Sequence, residues 1–477
     1  MLFNSMAFAI FLPIVFILYW MLPHKYRWIL LLSASYYFYM SWNAKYIVLI
    51  VFTTIISYTA ARLLENEDNP TKKKIVLGLA AFLCLGVLFF FKYFTFFNNT
   101  IVKTLSAFSL KLHPLTLDIL IPVGISFYTF QTLSYVIDVY REKIKAEHHF
   151  GIYATFIAFF PQLVAGPIER TENLMPQIKR EQYFDYEKAT YGIKLMAWGF
   201  FKKLAIADVV ARYVNAVFNS PRNYNHFDLI IVSLFFTVQI YCDFSGYSDI
   251  AIGTAKLMGI DLMTNFKSPY FSTSVKEFWN KWHISLSTWF RDYVYIPLGG
   301  NRCSAYRHSF NLLITFLISG LWHGANWTFV IWGGIHGAAQ VIENTLEKWL
   351  SPFRQTKAGK IIAMIVVFIF CDIAWIFFRA DSLSEAFYII NHIFCDIGNF
   401  STFGQSNLEI SKINLLLICI NVSVLAVFDF FSLRNDVIRW ISERKIIIRW
   451  SLYLILIWMI LITLPLSDES EFIYFQF

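Results

Sequence analysis

The segment that decides the fold is SFNLLITFLISGLWHGANWTFVIWGGIHGAAQ, residues 309–340. It contains no Asp, Glu, Lys or Arg, and it is longer than the about 20 apolar residues that carry one helix across a bilayer. Gly324, Ala325 and Asn326 interrupt its apolar character near the middle. In a membrane, such interruptions survive only where they are buried in protein or line a watery cavity. The segment therefore indicates a membrane protein and is expected to form two pieces.

The composition of the whole chain supports a bilayer as its solvent. Of 477 residues, 57% are hydrophobic, 19% aromatic and only 15% charged. Soluble domains carry about 25% charged residues, so this chain has too few charges to cover its apolar side chains in water. We predict an all-α, polytopic membrane protein, because helices satisfy their own backbone hydrogen bonds in lipid.

The apolar segments predict about ten to twelve membrane segments, some of them re-entrant because Gly, Pro or polar residues interrupt them. No soluble domain or internal repeat is evident, so we predict a single membrane domain, 1–477, with its motifs concentrated in 121–340 and a short C-terminal tail at 467–477. The candidate segments are 3–22, 28–42, 46–64, 75–96, 117–137, 188–212, 228–257, 309–342, 361–378, 412–431 and 448–466.

The positive charges predict the orientation. The net charge is +8, but Lys and Arg occur in short clusters between apolar runs, as in cytoplasmic loops and unlike a nucleic-acid-binding face. We therefore place the basic loops 24–27, 72–74 and 141–145 in the cytoplasm, so that both termini face outward. The first segment is expected to be a retained span rather than a signal peptide, because its positive charges follow the apolar stretch instead of preceding it. The tail at 467–477 has three acidic and no basic residues, which agrees.

The cysteines give no sign of a metal site or a disulfide framework. They are scattered, mostly inside apolar runs and without a C-x-x-C pair, so we interpret them as packing residues and expect no metal. Their positions are 84, 242, 303, 371, 395 and 419.

Two histidines lie in the deciding segment. His323 has Gly320 and Gly324 beside it, and His336 lies in a second glycine-rich run. An ionisable group at membrane depth indicates function, imidazole exchanges a proton near neutral pH, and glycine permits close backbone approach and leaves room for a ligand. Because they are 13 residues apart, one continuous helix would separate them by roughly 20 Å. A break at 324–326 would bring them closer.

Asp243 is a further candidate, because it interrupts the apolar run around 239–260 together with Ser245, Ser248 and Asp249. A carboxylate at membrane depth usually faces an interior cavity. The alternative interpretation is the end of a helix near the membrane interface.

Residues 274–293 predict an amphipathic, tryptophan-rich helix. Ser274 and Glu277 fit a capping box, so the helix is expected to begin near 275, and its apolar side chains follow helical spacing up to Tyr293. Such a helix suits the membrane interface. His283 lies near the apolar stripe, where it is either a functional group or a hydrogen-bonded core residue.

Several motifs together resemble one family, the bacterial branch of the membrane-bound O-acyltransferases that acetylates alginate and peptidoglycan. Teichoic-acid D-alanyl transferases are more distantly similar. The resemblance covers nearly the whole chain and rests on IPVGISFYTFQTLSYVIDVYR (121–141), FFPQLVAGPIER (159–170), YCDFSGYSDIAIG (241–253), EFWNKWHISLSTWFRDYVYIPLGGNR (277–302) and SGLWHGANWTFVIWGGIHG (319–337).

The resemblance implies a fold and a reaction. The fold is a ring of tilted helices around a central tunnel. The donor is cytoplasmic acetyl-CoA, a substrate rather than a bound cofactor, and the acceptor is a polysaccharide outside the bacterial cytoplasmic membrane. His323 and His283 match the two histidines of the family's motifs. Physically, His323 would deprotonate the acceptor hydroxyl, and His283 would orient it or relay the proton.

The C-terminal sequence FIYFQF, residues 472–477, resembles the acyl-accepting tail motif of related systems. The resemblance implies that Tyr474 holds the acetyl group transiently and passes it to an extracytoplasmic SGNH-type transferase. The alternative is an interfacial aromatic anchor.

Two other functions stay open at this point, namely transfer of D-alanine and a transporter or channel. The phosphates of CoA should meet cations at the cytoplasmic mouth. Candidates that the sequence does not rank are Lys202, Lys203, Lys276 and Arg291, and Arg291, Asp243 and His336 are also candidate tunnel or substrate residues.

Overall fold

Helices make up nearly all the regular structure of the protein in the computed structural model. It describes residues 1–109, 120–164, 166–395, 406–466 and 472–473, and these residues contain no β-strand. The predicted all-α fold is confirmed. The α-helices are α1 Met6–Met21, α2 His24–Asn43, α3 Ile47–Glu65, α4 Pro70–Leu88, α5 Phe94–Ala107, α6 Ile125–Tyr140, α7 Phe150–Ala158, α8 Phe160–Leu163, α9 Thr171–Lys179, α10 Tyr186–Phe200, α11 Asp208–Asn219, α12 His226–Leu257, α13 Val275–Lys281, α14 Ile284–Phe290, α15 Ala305–His323, α16 Trp327–Gln355, α17 Lys357–Arg379, α18 Leu383–Cys395, α19 Lys412–Ser432, α20 Val437–Ser442 and α21 Ile446–Thr463.

The long helices confirm a multi-pass membrane protein. Within the described residues, six helical stretches are long and apolar enough to cross a membrane, and α1 is a shorter apolar helix. Two of the six join consecutive helices, because a 3₁₀ turn links α2 to α3 and a π-helical turn links α4 to α5. The six are His24–Glu65, Pro70–Ala107, His226–Leu257, Lys357–Arg379, Lys412–Ser432 and Ile446–Thr463.

The burial of these helices distinguishes lipid-facing elements from core elements. The apolar window of α21 is 6% buried, whereas that of α12 is 67% buried. Exposed Ile, Leu and Trp side chains on α21 suit a hydrocarbon solvent. α12 is instead a core helix, so its polar side chains lie among protein groups.

The described chain packs as two compact units. The first comprises 1–193 and 250–263, and the second comprises 194–249 and 264–477. In the first, α3 packs against α4 and α6, and α2 against α7. In the second, α15 packs closely on α16, and α16 packs on α17. The prediction of a single domain remains a prediction.

Glycines allow α15 and α16 to approach closely. A Cβ atom on Gly320 would lie 2.2 Å from the carbonyl oxygen of Phe329, and one on Gly333 would lie 2.2 Å from that of Phe316. Both distances are too short for any side chain, so these glycines serve backbone packing. α15 ends at His323 and α16 begins at Trp327, which confirms the predicted division into two pieces.

The predicted continuous helix over 275–293 is wrong. α13 ends at Lys281, and α14 begins at Ile284 after a break at Trp282 and His283. The predicted start is correct, because the Ser274 hydroxyl accepts the Glu277 N–H at 2.9 Å. The Glu277 carboxylate in turn accepts the N–H of Thr273 at 2.8 Å.

α12 and the end of α10 carry the polar groups of the second unit. α12 continues without a break past Asp243, so the interpretation of Asp243 as a helix end is wrong. The chain after α10 widens into a π-helical turn, Phe201–Ala207. Gly246 of α12 faces this region, since a Cβ there would lie 2.8 Å from the carbonyl oxygen of Gly199.

Candidate active site

His323 is the last residue of α15 and lies in an aromatic enclosure. Its ring centroid is 5.0 Å from those of Trp322 and Trp332 and 5.4 Å from that of Phe378. The residue is 3% exposed. Aromatic rings therefore surround the imidazole and shield it from solvent.

His336 lies on α16, four residues after Trp332. Its ring centroid is also 5.0 Å from that of Trp332, so the two imidazole centroids are separated by at most twice that distance. The break after His323 thus brings the histidines closer than a continuous helix would. The Nδ1 atom of His336 accepts the indole N–H of Trp279 at 3.2 Å. This bond gives His336 a definite structural task, which is to hold Trp279.

His283 is fixed by polar contacts instead. Its backbone is left-handed, with φ 44° and ψ 54°, and the residue is fully buried. A non-glycine residue rarely adopts this conformation without support. Support comes from Asn265, whose backbone carbonyl accepts the N–H of Ile284 at 3.0 Å.

The side chain of Asn265 sets the tautomer of His283. Its Oδ1 atom is 3.1 Å from Nδ1 of His283, and it also accepts the N–H and the hydroxyl of Ser285 at 3.2 and 2.9 Å. The amide nitrogen of Asn265 donates to the Ser248 hydroxyl at 3.3 Å. Because an amide oxygen can only accept, Nδ1 carries the proton and Nε2 carries the lone pair.

Trp322 brings His283 and His323 together. The indole is 6.2 Å from the His283 ring and 5.0 Å from the His323 ring, centroid to centroid. Both imidazoles thus lie close to the same indole, on the second unit of the chain. A shared catalytic site for the two histidines stays a prediction.

Asp243 belongs to a buried charged cluster. One carboxylate oxygen is 2.8 Å from Nζ of Lys203, and Lys203 lies equally close to Asp208. Lys202 pairs with Asp249 at 2.5 Å and donates to the Ser245 hydroxyl at 3.0 Å. These ion pairs compensate the charges of both lysines inside the protein, so neither ammonium needs a phosphate as its partner.

The two other cationic candidates are exposed. Arg291 begins a π-helical turn, Arg291–Tyr295, and its Nε atom is 2.8 Å from the carboxylate of Asp292. Lys276 is exposed on α13. Either side chain is accessible to a phosphate, so these two remain candidates.

The C-terminal segment reaches the same region. Tyr474 lies outside the described residues, but Phe472 and Ile473 are described and are each 1% exposed. The Ile473 N–H donates to the second carboxylate oxygen of Asp243 at 2.8 Å. The Phe472 ring lies 5.9 Å from that of Phe244, which is itself 4.6 Å from His283.

Sequence reasoning missed Asn265 and the partners of Asp243. Asn265 lies in a stretch without regular structure between α12 and α13, and no motif marks it. Lys203 and Asp208 are far from Asp243 in sequence, and only the folded chain brings them together. The charge of Asp243 at membrane depth could have indicated a cationic partner such as Lys203, because a buried charge needs a partner.

Comparisons with known proteins identify the family of this chain. The model of the family described as MBOAT, membrane-bound O-acyltransferase, matches residues 142–380, a range that includes His283 and His323. A probable alginate O-acetylase from Pseudomonas aeruginosa is 39% identical over 91% of this chain and 82% of its own length. A peptidoglycan O-acetyltransferase from Helicobacter pylori is 33% identical over 100% of this chain and 98% of its own. A teichoic acid D-alanyltransferase from Bacillus subtilis is 29% identical over 52% and 66%.

Proposed function

Because the chain belongs to the membrane-bound O-acyltransferase family, it is an O-acyltransferase, and from this premise we propose that it transfers acetyl groups from cytoplasmic acetyl-CoA to a polysaccharide outside the cytoplasmic membrane. The two relatives aligned over most of the chain are named for acetyl transfer to alginate and to peptidoglycan. The relative named for D-alanyl transfer aligns with about half of the chain. Acetyl is therefore the favoured group, and a transporter is set aside.

The observation that carries the proposal is the pair of buried histidines whose rings both lie close to Trp322. The acceptor hydroxyl gives its proton to His323 and attacks the thioester carbonyl. The carbon–sulfur bond then breaks, and the thiolate of CoA takes up the proton. His283, with its lone pair on Nε2, orients the hydroxyl or relays that proton.

The enclosure of His323 sets a condition on this reaction. With 3% of the residue exposed, a thioester reaches the imidazole only after a surrounding side chain moves. Phe378 and Trp332 are the rings in contact with it from other helices. The tunnel implied by the family resemblance remains a prediction.

The first acceptor in the proposal is Tyr474. Its phenol takes the acetyl group from CoA, with the proton passing to His323, and an extracytoplasmic SGNH-type transferase then moves the group to a polysaccharide hydroxyl. The FIYFQF motif supports this step, as does the packing of Phe472 beside Phe244. Mass spectrometry of the C-terminal peptide after incubation with acetyl-CoA tests it, and a fully active Tyr474→Phe protein would reject it.

The orientation is part of the proposal. The distribution of Lys and Arg supports outward-facing termini in a bacterial cytoplasmic membrane. A periplasmic reporter enzyme fused after Phe477 should be active, and the same reporter inserted in the basic loop at 72–74 should be inactive. The reverse pattern would contradict the orientation.

The decisive experiment measures CoA release from acetyl-CoA by purified protein in nanodiscs. His323→Gln should lower the rate about 10³-fold, in the range for loss of a general base. His308→Gln is the matched control, because His308 lies on the same helix, α15, away from the aromatic enclosure. Equal rates for the two variants would refute the proposed role of His323.

A further inference from the structure

The contact between Asp243 and the C-terminal segment is made with the backbone. Oδ2 of Asp243 accepts the N–H of Ile473 at 2.8 Å, and both residues are buried. A hydrogen bond from a buried amide to a carboxylate is stronger than one between neutral groups. Since the donor is a main-chain N–H, the bond is independent of the side chain at position 473, except that proline has no N–H.

An ion pair with Lys203 holds the carboxylate of Asp243. Nζ of Lys203 lies 2.8 Å from Oδ1 of Asp243, on the carboxylate oxygen that Ile473 does not use. The same ammonium is shared with Asp208. One lysine thus serves two buried carboxylates, and the Ile473 amide adds a further donor to the cluster, which lowers the cost of burying the second negative charge.

Phe472 provides the apolar part of the contact. Its ring centroid is 4.7 Å from that of Tyr247 and 5.9 Å from that of Phe244, and the centroids of Phe244 and His283 are 4.6 Å apart in a T-shaped contact. Phe472 and Ile473 are therefore anchored one aromatic ring away from His283.

We propose that Asp243, held by Lys203, is a positioning residue that docks the chain's own C-terminal segment beside His283 through the backbone amide of residue 473. The inference rests on the proposed function, since it gives the acyl-accepting Tyr474 a fixed neighbour in the chain. It goes further by assigning a docking site and by stating what that site recognises. The site recognises a main-chain N–H that follows an aromatic residue.

Limited proteolysis of the full-length protein tests docking without reference to acyl transfer. Chymotrypsin cleaves after Tyr474 and Phe475, and the rate is followed by intact mass. Each rate is divided by that of a free synthetic peptide with the same sequence as residues 467–477 of that variant, which removes the effect of the substitution on the protease itself. The resulting protection factor reports docking alone.

Ile473→Pro should lower the protection factor about tenfold, because it removes a hydrogen bond to a charged group. Ile473→Val, the matched control, keeps the N–H and should retain the protection of the original sequence. Asp243→Asn should give a smaller loss, because its neutral oxygen still accepts. A protection factor near one in the unmodified protein, or an unchanged factor in Ile473→Pro, would overturn the proposal.

Mass spectrometry of the same samples separates this inference from the proposed relay. A protected tail that is never acetylated would leave docking intact and would reject the relay. Acetylation of Tyr474 in a tail without protection would reject docking and leave the relay intact.

Discussion

Two helix breaks in the described part of the second unit each hold a histidine, and different contacts surround the two imidazoles. At the first, His283 lies between α13 and α14 in a left-handed conformation, and Asn265 binds both its ring and the following backbone. At the second, His323 ends α15, where glycine contacts bring α16 close and aromatic rings enclose the imidazole. Asn265 thus contacts the His283 ring through a hydrogen bond, and aromatic rings pack around the His323 ring. The hydrogen bond with Asn265 selects the tautomer of His283, whereas the packed rings restrict the access of a substrate to His323.

The largest expected effect tests whether the two histidines act together. We expect His323→Gln to lower the rate of CoA release about 10³-fold and His283→Gln about 10²-fold. If they share one proton-transfer step, the double variant should be no slower than His323→Gln alone, because groups that act as a unit are not additive. Steady-state rates of the three variants check this. A double variant whose losses multiply would show that the histidines work independently.

The next effect tests the packing side of the comparison. Gly333→Ala should destabilise the protein by about 3 kcal/mol, because the added Cβ would meet backbone rather than a movable side chain. Gly334→Ala is the matched control, since its Cβ would lie 3.4 Å from a methyl group of Leu317, an ordinary contact. Thermal unfolding in detergent measures both. Similar melting temperatures for the two variants would contradict the proposed role of Gly333.

A smaller effect tests the polar side. Asn265→Leu removes the acceptor for His283 and Ser285, and we expect about 2 kcal/mol lower stability together with a rate about tenfold lower. Asn280→Leu is a suitable control, because Asn280 is exposed on α13. The pH profile of the rate distinguishes a tautomer effect from simple destabilisation, since only the former changes its shape. An unchanged profile and rate would remove Asn265 from the site.

The smallest effect concerns His336. Trp279→Phe keeps the ring but removes the N–H that His336 accepts, so it should cost about 1 kcal/mol of stability and change the rate less than twofold. His336→Phe should behave similarly. A rate loss in His336→Phe as large as that of His323→Gln would show that His336 takes part in the chemistry.

The sequence predicted the second break and missed the first, for a physical reason. Gly324 and Asn326 are poor helix formers in the middle of an apolar run, and Asn326 caps α16 by accepting the N–H of Thr328 at 3.1 Å. Trp282 and His283 have no such local signal. Their break depends on Asn265, a tertiary contact that no local pattern reveals.

The residues of the candidate site, like the two helix breaks, were predicted only in part from the sequence. Composition and glycine spacing pointed to His323, and family motifs added His283. Lys202 and Lys203 were unranked candidates for the CoA phosphates, and a linear reading could not reveal that they pair with carboxylates of α12. The relay at Tyr474 stays a prediction, since that residue lies outside the described part of the chain.

The π-helical turn at Phe201–Ala207 makes this part of the chain sensitive to its exact length. Trp198, just before the turn, stacks on Phe428 at 3.8 Å, while Lys202 and Lys203, inside it, pair with carboxylates of α12. Each residue of an α-helix advances the side-chain direction by about 100°. If one residue of the turn were deleted, the side chains before and after it could not both keep their directions. The chain would lose either the stacking of Trp198 on Phe428 or the ion pairs of Lys202 and Lys203. Natural variation in this protein should therefore substitute residues in this turn far more readily than it removes one.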